Sequence, residues 1–294
     1  MTYDPIPPGV RTRLKSLRLA TRRAEGAHGI GAHVSRSRGS GIEFAQYRAY
    51  EPGDELKQID WKLYGRSDKF FVRESERESP VTAWIVVDAS ASMAQADRAR
   101  PDWSRLDAAK AIAACIAELA MLQGDRFAAA LLRGAGPEVV PPGHGARQRD
   151  RLLIALYGLE AQGQVPPERA LAPIWERIGA RDLVIFIGDW FDEAAVNLIE
   201  RLAKAGREVL SIQVLTVEER DFPFHGGFRF RDPETGDELL GDGAALKAEF
   251  LARFGEAQAA IRGRLDDAGI RHITTYLDEP VDAPLRRLFG RTAA

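Results

Sequence analysis

The chain has 294 residues, 45% of them hydrophobic and 29% charged, and a formal net charge of −2, which is typical of an ordinary globular protein. No apolar run reaches the ~18 residues of a membrane span, and the first residues lack the apolar segment of a signal peptide. The single cysteine, Cys115, has no partner for an intramolecular disulfide. We therefore expect a soluble cytoplasmic protein that lacks a transmembrane segment.

The N-terminal region is basic. Nine basic and three acidic residues lie in the chain up to Arg48, so the remainder carries a charge of −8. The segment Val10–Ala24 places Leu14, Leu17 and Leu19 among basic residues, which predicts an amphipathic helix, and a glycine-rich loop follows it. Because no aromatic residues alternate with the basic ones, we expect no nucleic-acid binding. Docking on a partner protein, on the acidic remainder of this chain or peripherally on a membrane stays open.

The next segment combines strand patterns with a polar and aromatic motif. Ile42–Tyr50 and Phe70–Ser75 predict strands, and Leu56–Gly65 predicts a short helix. The motif residues are Arg48, Tyr50, Pro52, Gly53, Asp54, Asp60, Trp61 and Arg66. Taken alone, they describe a turn at the proline, a core tryptophan and a surface pair between Asp60 and Arg66.

Strands and helices alternate in the rest of the chain. The predicted helices are Arg105–Gln123, Arg149–Leu159, Glu168–Ile178, Ala194–Ala205, Ala244–Ala268 and Ala283–Phe289. Gly134–Gly145 is predicted to be a loop, and the turn residues between Phe228–Arg231 and Glu238–Leu240 predict a hairpin. The alternation predicts a doubly wound α/β fold with a mostly parallel sheet and helices on both faces.

Two of the predicted strands end in a carboxylate. The apolar run Ile85–Val87 leads into Asp88-x-Ser90-x-Ser92, and Leu183–Ile187 leads into Gly188 and Asp189. Right-handed crossovers place the carboxyl ends of parallel strands at one edge of the sheet, so these acids can meet. Carboxylate and hydroxyl oxygens are ligands that Mg²⁺ or Mn²⁺ prefers. The other interpretation is a serine that caps the following helix.

The arrangement of Asp88, Ser90, Ser92 and Asp189 resembles the metal-ion-dependent adhesion site of von Willebrand factor A domains. That resemblance implies a threonine ligand on a later loop and a partner carboxylate in the open coordination position. Here the corresponding loop, 163–168, has no hydroxyl residue, and Glu168 or a water is the expected substitute.

Two aromatic residues, Trp190 and Phe191, directly follow the second carboxylate. They are predicted either to be exposed partner-binding rings beside the site or to pack into the core, as aromatic residues mostly do.

The motif residues between Arg48 and Arg66, taken together with the Asp88 strand end, carry a second resemblance. The chain from about residue 39 to the C-terminus resembles the bacterial family named domain of unknown function fifty-eight. The composition predicts a basic helix and a glycine-rich arm over residues 1–41, and the resemblance implies a family signature segment over 42–80. It also implies a von Willebrand A-like domain over 81–294 with a hairpin insertion near 226–241. A MoxR-type AAA+ ATPase is the implied partner, linked by this protein to an unknown client. Many relatives carry two N-terminal membrane helices where this chain has the basic arm.

Other chemistries have weaker support in the sequence. The five histidines lack zinc-site spacing, and neither Ser90 nor Ser92 lies in the strand-turn-helix motif of a serine hydrolase. We therefore predict a non-enzymatic, protein-binding adaptor that uses the Asp88 edge, with Mg²⁺ or Mn²⁺ as a possible cofactor. A metal-dependent hydrolase and a metal-free structural scaffold are the alternatives.

Overall fold

The structure, a computed structural model, describes residues 4–19, 44–50, 59–75, 82–134, 136–231 and 238–290. It divides into two compact units, His28–Pro80 and the rest of the chain. In chain order the elements are α1 (Val10–Leu14), β1 (Phe44–Ala49), α2 (Trp61–Ser67), β2 (Phe71–Ser75), β3 (Thr82–Asp88), a 3₁₀ turn (Ala91–Ala94), α3 (Arg105–Gln123), β4 (Arg126–Arg133), β5 (Gly136–Gly143), α4 (Gly145–Tyr157), α5 (Glu168–Trp175), β6 (Leu183–Gly188), α6 (Glu193–Lys204), β7 (Glu208–Leu215), α7 (Val217–Asp221), β8 (Gly227–Arg231), β9 (Glu238–Asp242), α8 (Gly243–Asp267), β10 (Arg271–Tyr276) and α9 (Ala283–Phe289).

The smaller unit contains the signature segment. Strand β1 pairs antiparallel with β2, and Arg48 lies opposite Val72. Asp60 is buried and caps α2 by accepting hydrogen bonds from two backbone N–H groups, so it is not the surface residue expected from the sequence. Trp61 is 59% exposed rather than part of a core. Its ring lies 6.3 Å from that of Phe70.

The other signature residues are described to different extents. Tyr50 packs edge-on against Phe70, and Arg66 is exposed on α2. Pro52, Gly53 and Asp54 lie outside the described residues.

The larger unit is built on a six-stranded sheet of order β10-β7-β6-β3-β4-β5. All neighbouring pairs are parallel except β4 with β5. Side chains alternate across β3, so that Ile85 and Val87 face α1, α3, α4 and α9, whereas Trp84 and Val86 face α5, α6 and α8. This confirms the prediction of a mixed α/β fold with a mostly parallel sheet.

One strand was absent from the sequence prediction. The segment Gly134–Gly145, predicted to be a loop, contains β5, which pairs antiparallel with β4. Pro137 and Pro141 have no N–H to donate, and prolines are tolerated in a strand at the sheet edge because only one side is paired. The predicted hairpin is confirmed, since β8 pairs antiparallel with β9; its turn, 232–237, lies outside the described residues.

The N-terminal helix is shorter than the predicted Val10–Ala24. Helix α1 ends at Leu14, and Leu14 and Leu17 are buried in the same core as α3. Arg13 donates from Nε and Nη2 to the carboxylate of Asp282, at 2.7 and 2.6 Å. The start of the arm thus packs on this chain. None of the described helices combines the length and apolar character needed to cross a bilayer.

Candidate functional site

The structure brings the two predicted strand ends together. Strands β3 and β6 are neighbours, with Val87 opposite Ile187, so Asp88 and Gly188 follow at the same edge. A Cβ atom on residue 188 would lie 2.9 Å from the Cβ of Asp88 and 3.2 Å from its Oδ2. The glycine between Ile187 and Asp189 therefore makes room for the Asp88 carboxylate.

Asp88 has a free acceptor inside the protein. Its Oδ1 accepts a hydrogen bond from the backbone N–H of Ser90 at 2.8 Å. Its Oδ2 is buried and has no hydrogen-bond donor among the described residues. The hydroxyls of Ser90 and Ser92 lie 3.1 Å apart, and both side chains are buried. Burial, reinforced by the negative charge of Asp189, raises the pKa of Asp88 to about 7, because removing a carboxylate from water disfavours its charged form.

Asp189, in contrast, is held by Arg105, which lies outside both strand-end motifs and was not among the predicted site residues. Nη1 of Arg105, the first residue of α3, donates to Asp189 Oδ2 and to the carbonyl of Ser92, each at 2.9 Å. Nη2 donates to Glu219 Oε1. The Arg105 side chain is 2% exposed, so this guanidinium is a buried charge that its acidic partners must stabilise.

Glu219 is the third acid of the cluster. It lies on the short helix α7 and forms a capping box with Thr216. Burial raises the pKa of Glu219, and the positive charge of Arg105 opposes that rise. Two carboxyl groups, those of Asp189 and Glu219, thus bind one guanidinium, and Asp88 lies on the neighbouring strand end.

The two aromatic residues after Asp189 have different environments. Trp190 has φ +62° and is 2% exposed, buried among residues of α5 and α6, so the expectation of an exposed ring is wrong for this residue. Phe191 is 43% exposed, and Cζ of Arg105 lies 4.9 Å from the centre of its ring. Its N–H donates to Asp189 Oδ1 at 3.2 Å. Phe191 therefore covers the guanidinium from the solvent side.

The loop in which a threonine ligand was expected does lie beside Asp88, but it contacts the site through its backbone. The carbonyl of Gly163 accepts from the N–H of Ala91 at 2.8 Å, and the N–H of Gln162 donates to the carbonyl of Ala89 at 2.9 Å. Glu168 begins α5, is exposed and pairs with Arg201. In this structure its carboxylate is therefore already paired, and its substitution for the missing ligand stays a prediction.

The oxygen atoms at this edge fit a hydrated divalent cation only in part. No group of three or more His, Cys, Asp or Glu side chains that could hold a metal is found in the described parts of the chain. The free Oδ2 of Asp88 and the hydroxyls of Ser90 and Ser92 are hard oxygen donors, and Mg²⁺ accepts few protein ligands because it retains several waters. Asp189 could join this set through a water, since Arg105 occupies its Oδ2.

The fold and this edge define a mixed α/β protein with a buried acid and hydroxyl cluster at the carboxyl end of its sheet. Residues 46–260 match the family described as "Protein of unknown function DUF58", and the chain belongs to that family.

Among its relatives are the uncharacterized proteins Rv1480 of Mycobacterium tuberculosis and Mb1516 of Mycobacterium bovis. Each is 27% identical over 232 residues, which is 78% of this chain and 72% of the relative. Two solved structures each cover 64% of this chain. One is the conserved hypothetical protein BatB from Bacteroides thetaiotaomicron, 16% identical with 98% of its own chain covered. The other is an aerotolerance-related membrane protein from Bacteroides fragilis, 17% identical with 99% covered. The TM-score is 0.36 for both.

Proposed function

We propose that this chain is a non-enzymatic adaptor whose von Willebrand factor A-like domain binds a partner protein at the edge of its sheet. We name this surface the acid edge and define it as Asp88–Ser92, Gln162–Gln164, Asp189 and Phe191. The free, buried Oδ2 of Asp88 is the observation that carries the proposal. A buried acid oxygen that lacks a donor among the described residues is better suited to binding a ligand than to packing.

A divalent cation fits this proposal as a component of the contact. Asp88, Ser90 and Ser92 would hold Mg²⁺ or Mn²⁺, with Asp189 acting either through water or directly once it is released from Arg105. When bound, the cation would supply a coordination position for a carboxylate of the partner. Phe191 would add an apolar contact, as aromatic residues commonly do at interfaces.

The partner to test first is a MoxR-type AAA+ ATPase, because the family resemblance implies it. The hydrolase alternative has less support. The hydroxyls of Ser90 and Ser92 face each other, and no histidine hydrogen bonds to either serine among the described residues. A serine nucleophile needs such a base.

The test is co-purification of the ATPase with the double variant Ser90→Ala and Ser92→Ala. We expect the complex to weaken about tenfold, since removing groups that hold or orient a bound metal typically lowers metal affinity about 10- to 100-fold. Ser211→Ala is the matched control, because Ser211 is a fully buried serine of β7 in the same sheet. Circular dichroism verifies that all variants fold.

Repeating the co-purification with EDTA separates the two forms of the proposal. Loss of the complex in EDTA supports a cation at the acid edge, whereas binding that survives EDTA supports a metal-free contact. Full binding by a folded double variant would place the interface elsewhere. Metal-dependent turnover of a phosphoester or peptide by the purified protein would instead favour a hydrolase.

A further inference from the structure

A cationic side chain of this protein is hydrogen bonded to the acid edge. The guanidinium of Arg105 joins three elements by hydrogen bonding to Asp189, to the backbone carbonyl of Ser92 and to Glu219. A residue with this burial and these contacts has a defined position, because the planar guanidinium matches carboxylate geometry. Its Nε has no acceptor in the described residues, so its side-chain hydrogen bonds are made by the two terminal nitrogens.

This position brings Arg105 into conflict with a divalent cation. Arg105 Nη1 lies 2.9 Å from Asp189 Oδ2 and from the carbonyl oxygen of Ser92. Ser92 and Asp189 are also two of the residues that would hold a divalent cation at this edge. Two positive charges within a few ångströms repel strongly at a site from which water is excluded. Direct coordination by Asp189 therefore requires its bond to Arg105 to break.

We propose that Arg105 is a built-in counter-cation that competes with a divalent cation for Asp189 and thereby sets the cation affinity of the acid edge. This inference rests on the proposed function in that it concerns the same edge. When a cation takes Asp189, Glu219 remains as the acid partner of Arg105. The guanidinium lies against the ring of Phe191, so its displacement alters the exposed aromatic part of the edge. Cation binding and partner binding are then coupled through one side chain.

The test uses the full chain with Arg105→Gln and Mg²⁺ alone as the probe. Titration calorimetry should show binding about tenfold tighter in the variant than in the wild type, a typical size for such coupling. Thermal unfolding provides a second measurement. The variant should be destabilised in EDTA and regain more of its melting temperature on adding Mg²⁺ than the wild type gains.

Arg13→Gln is the matched control. Arg13 also pairs with a fully buried aspartate, Asp282, but away from the acid edge. This control should bind Mg²⁺ as the wild type does and show no extra thermal response. A similar Mg²⁺ rescue of Arg13→Gln would mean that the effect is not specific to Arg105.

If Arg105→Gln does not fold, the double variant Arg105→Gln with Glu219→Gln removes the cation together with one of its acids, and the same tighter binding is expected. Equal Mg²⁺ affinity of the wild type and the folded variant, or no binding by either, overturns the role of Arg105. The proposed function is judged separately, by whether Ser90→Ala with Ser92→Ala loses the partner.

Discussion

Two regions of the larger unit pair a fully buried aspartate with an arginine, and they differ in charge balance. At the acid edge, one guanidinium serves Asp189 and Glu219 while Asp88 lies nearby with a free oxygen. Near the N-terminal helix, Asp282 receives two guanidiniums, those of Arg13 and Arg286. The first region has an excess of acid, whereas the second has an excess of base.

The pKa values of the acids follow this difference. Hydrogen bonds from Arg13 lower the pKa of Asp282, whereas burial raises the pKa of Asp88 to about 7. Asp282 ties α1 to the start of α9 and has its acceptors satisfied. Asp88 retains an acceptor that a ligand can use. Burial alone therefore does not distinguish these two aspartates; the balance of charge around them does.

The largest effect is expected from removing the buried arginine. Arg105→Ala leaves Asp189 and Glu219 without their cation, and breaking a buried pair in this way costs about 3–5 kcal/mol of unfolding free energy. Arg13→Ala should cost less, because the Arg13 side chain is 44% exposed and Arg286 remains beside Asp282. Urea denaturation in EDTA measures both. Equal losses would show that the two pairs do not differ as proposed.

A smaller effect is expected from crowding Asp88. In Gly188→Ala the new Cβ would lie 2.9 Å from Asp88 Cβ and 3.0 Å from the ring of Phe186, and overpacking of this kind costs about 1–3 kcal/mol. Gly255→Ala is the control, because a Cβ at this position on α8 meets no atom within 4 Å. That control should be stabilised by roughly 0.5–1 kcal/mol, the helix preference for alanine over glycine. Thermal denaturation of both variants tests these opposite changes in stability. A neutral Gly188→Ala would contradict the predicted crowding of Asp88.

The two aspartates should affect stability with opposite pH dependence. The folded pKa of Asp282 lies below its ordinary value of 3.8, so its contribution is present above about pH 4 and is lost as the pH falls further. For Asp88 the folded pKa is about 7, so the folded protein binds more protons than the unfolded chain between about pH 4 and pH 7. Asp88 therefore makes the fold less stable as pH rises through that range.

Urea denaturation in EDTA across this pH range tests the difference. Asp88→Asn should gain stability relative to the wild type as the pH rises from about 5 to about 8. Asp282→Asn should remain less stable than the wild type at neutral pH and approach it only in acid. The same pH trend in both variants would contradict the assigned charge environments.

The sheet could be predicted because its central strands are local patterns. Ile85–Val87 and Leu183–Ile187 are short apolar runs, which suit parallel strands buried on both faces. Helix α3 begins after the capping residue Ser104 and ends at Gly124, which has φ +77°. Those boundaries are encoded within a few residues, so the predicted Arg105–Gln123 agrees with the structure. Strand β5 was missed because its prolines and glycines are also typical of loops.

The candidate site was only half predictable, because Arg105 and its partner Glu219 come from elements that are distant from the strand ends in sequence. Arg105 and Glu219 meet through the fold, and neither lies in the strand-end motifs. Two local signals did exist. Thr216 and Glu219 have the spacing of a capping box, and an arginine at the first position of a helix is unfavourable with the helix dipole. Such an arginine is expected to have acidic neighbours. No local signal predicted the left-handed backbone that buries Trp190.

The smallest effect is expected at Cys115, which lies on α3 between the two regions. Its thiol is fully buried, and burial raises its pKa to about 12, so almost no thiolate exists near neutral pH. Cys115→Ala should leave Mg²⁺ binding and partner binding unchanged, because no hydrogen bond in the described residues joins the thiol to Asp88, Asp189 or Arg105. In the folded wild type, a thiol-specific reagent should modify Cys115 only as fast as the protein unfolds, and Arg105→Ala should accelerate that reaction more than Arg13→Ala. Rapid modification of the stable wild-type fold would show that α3 opens locally, in which case the two pairs would not be held by one rigid helix.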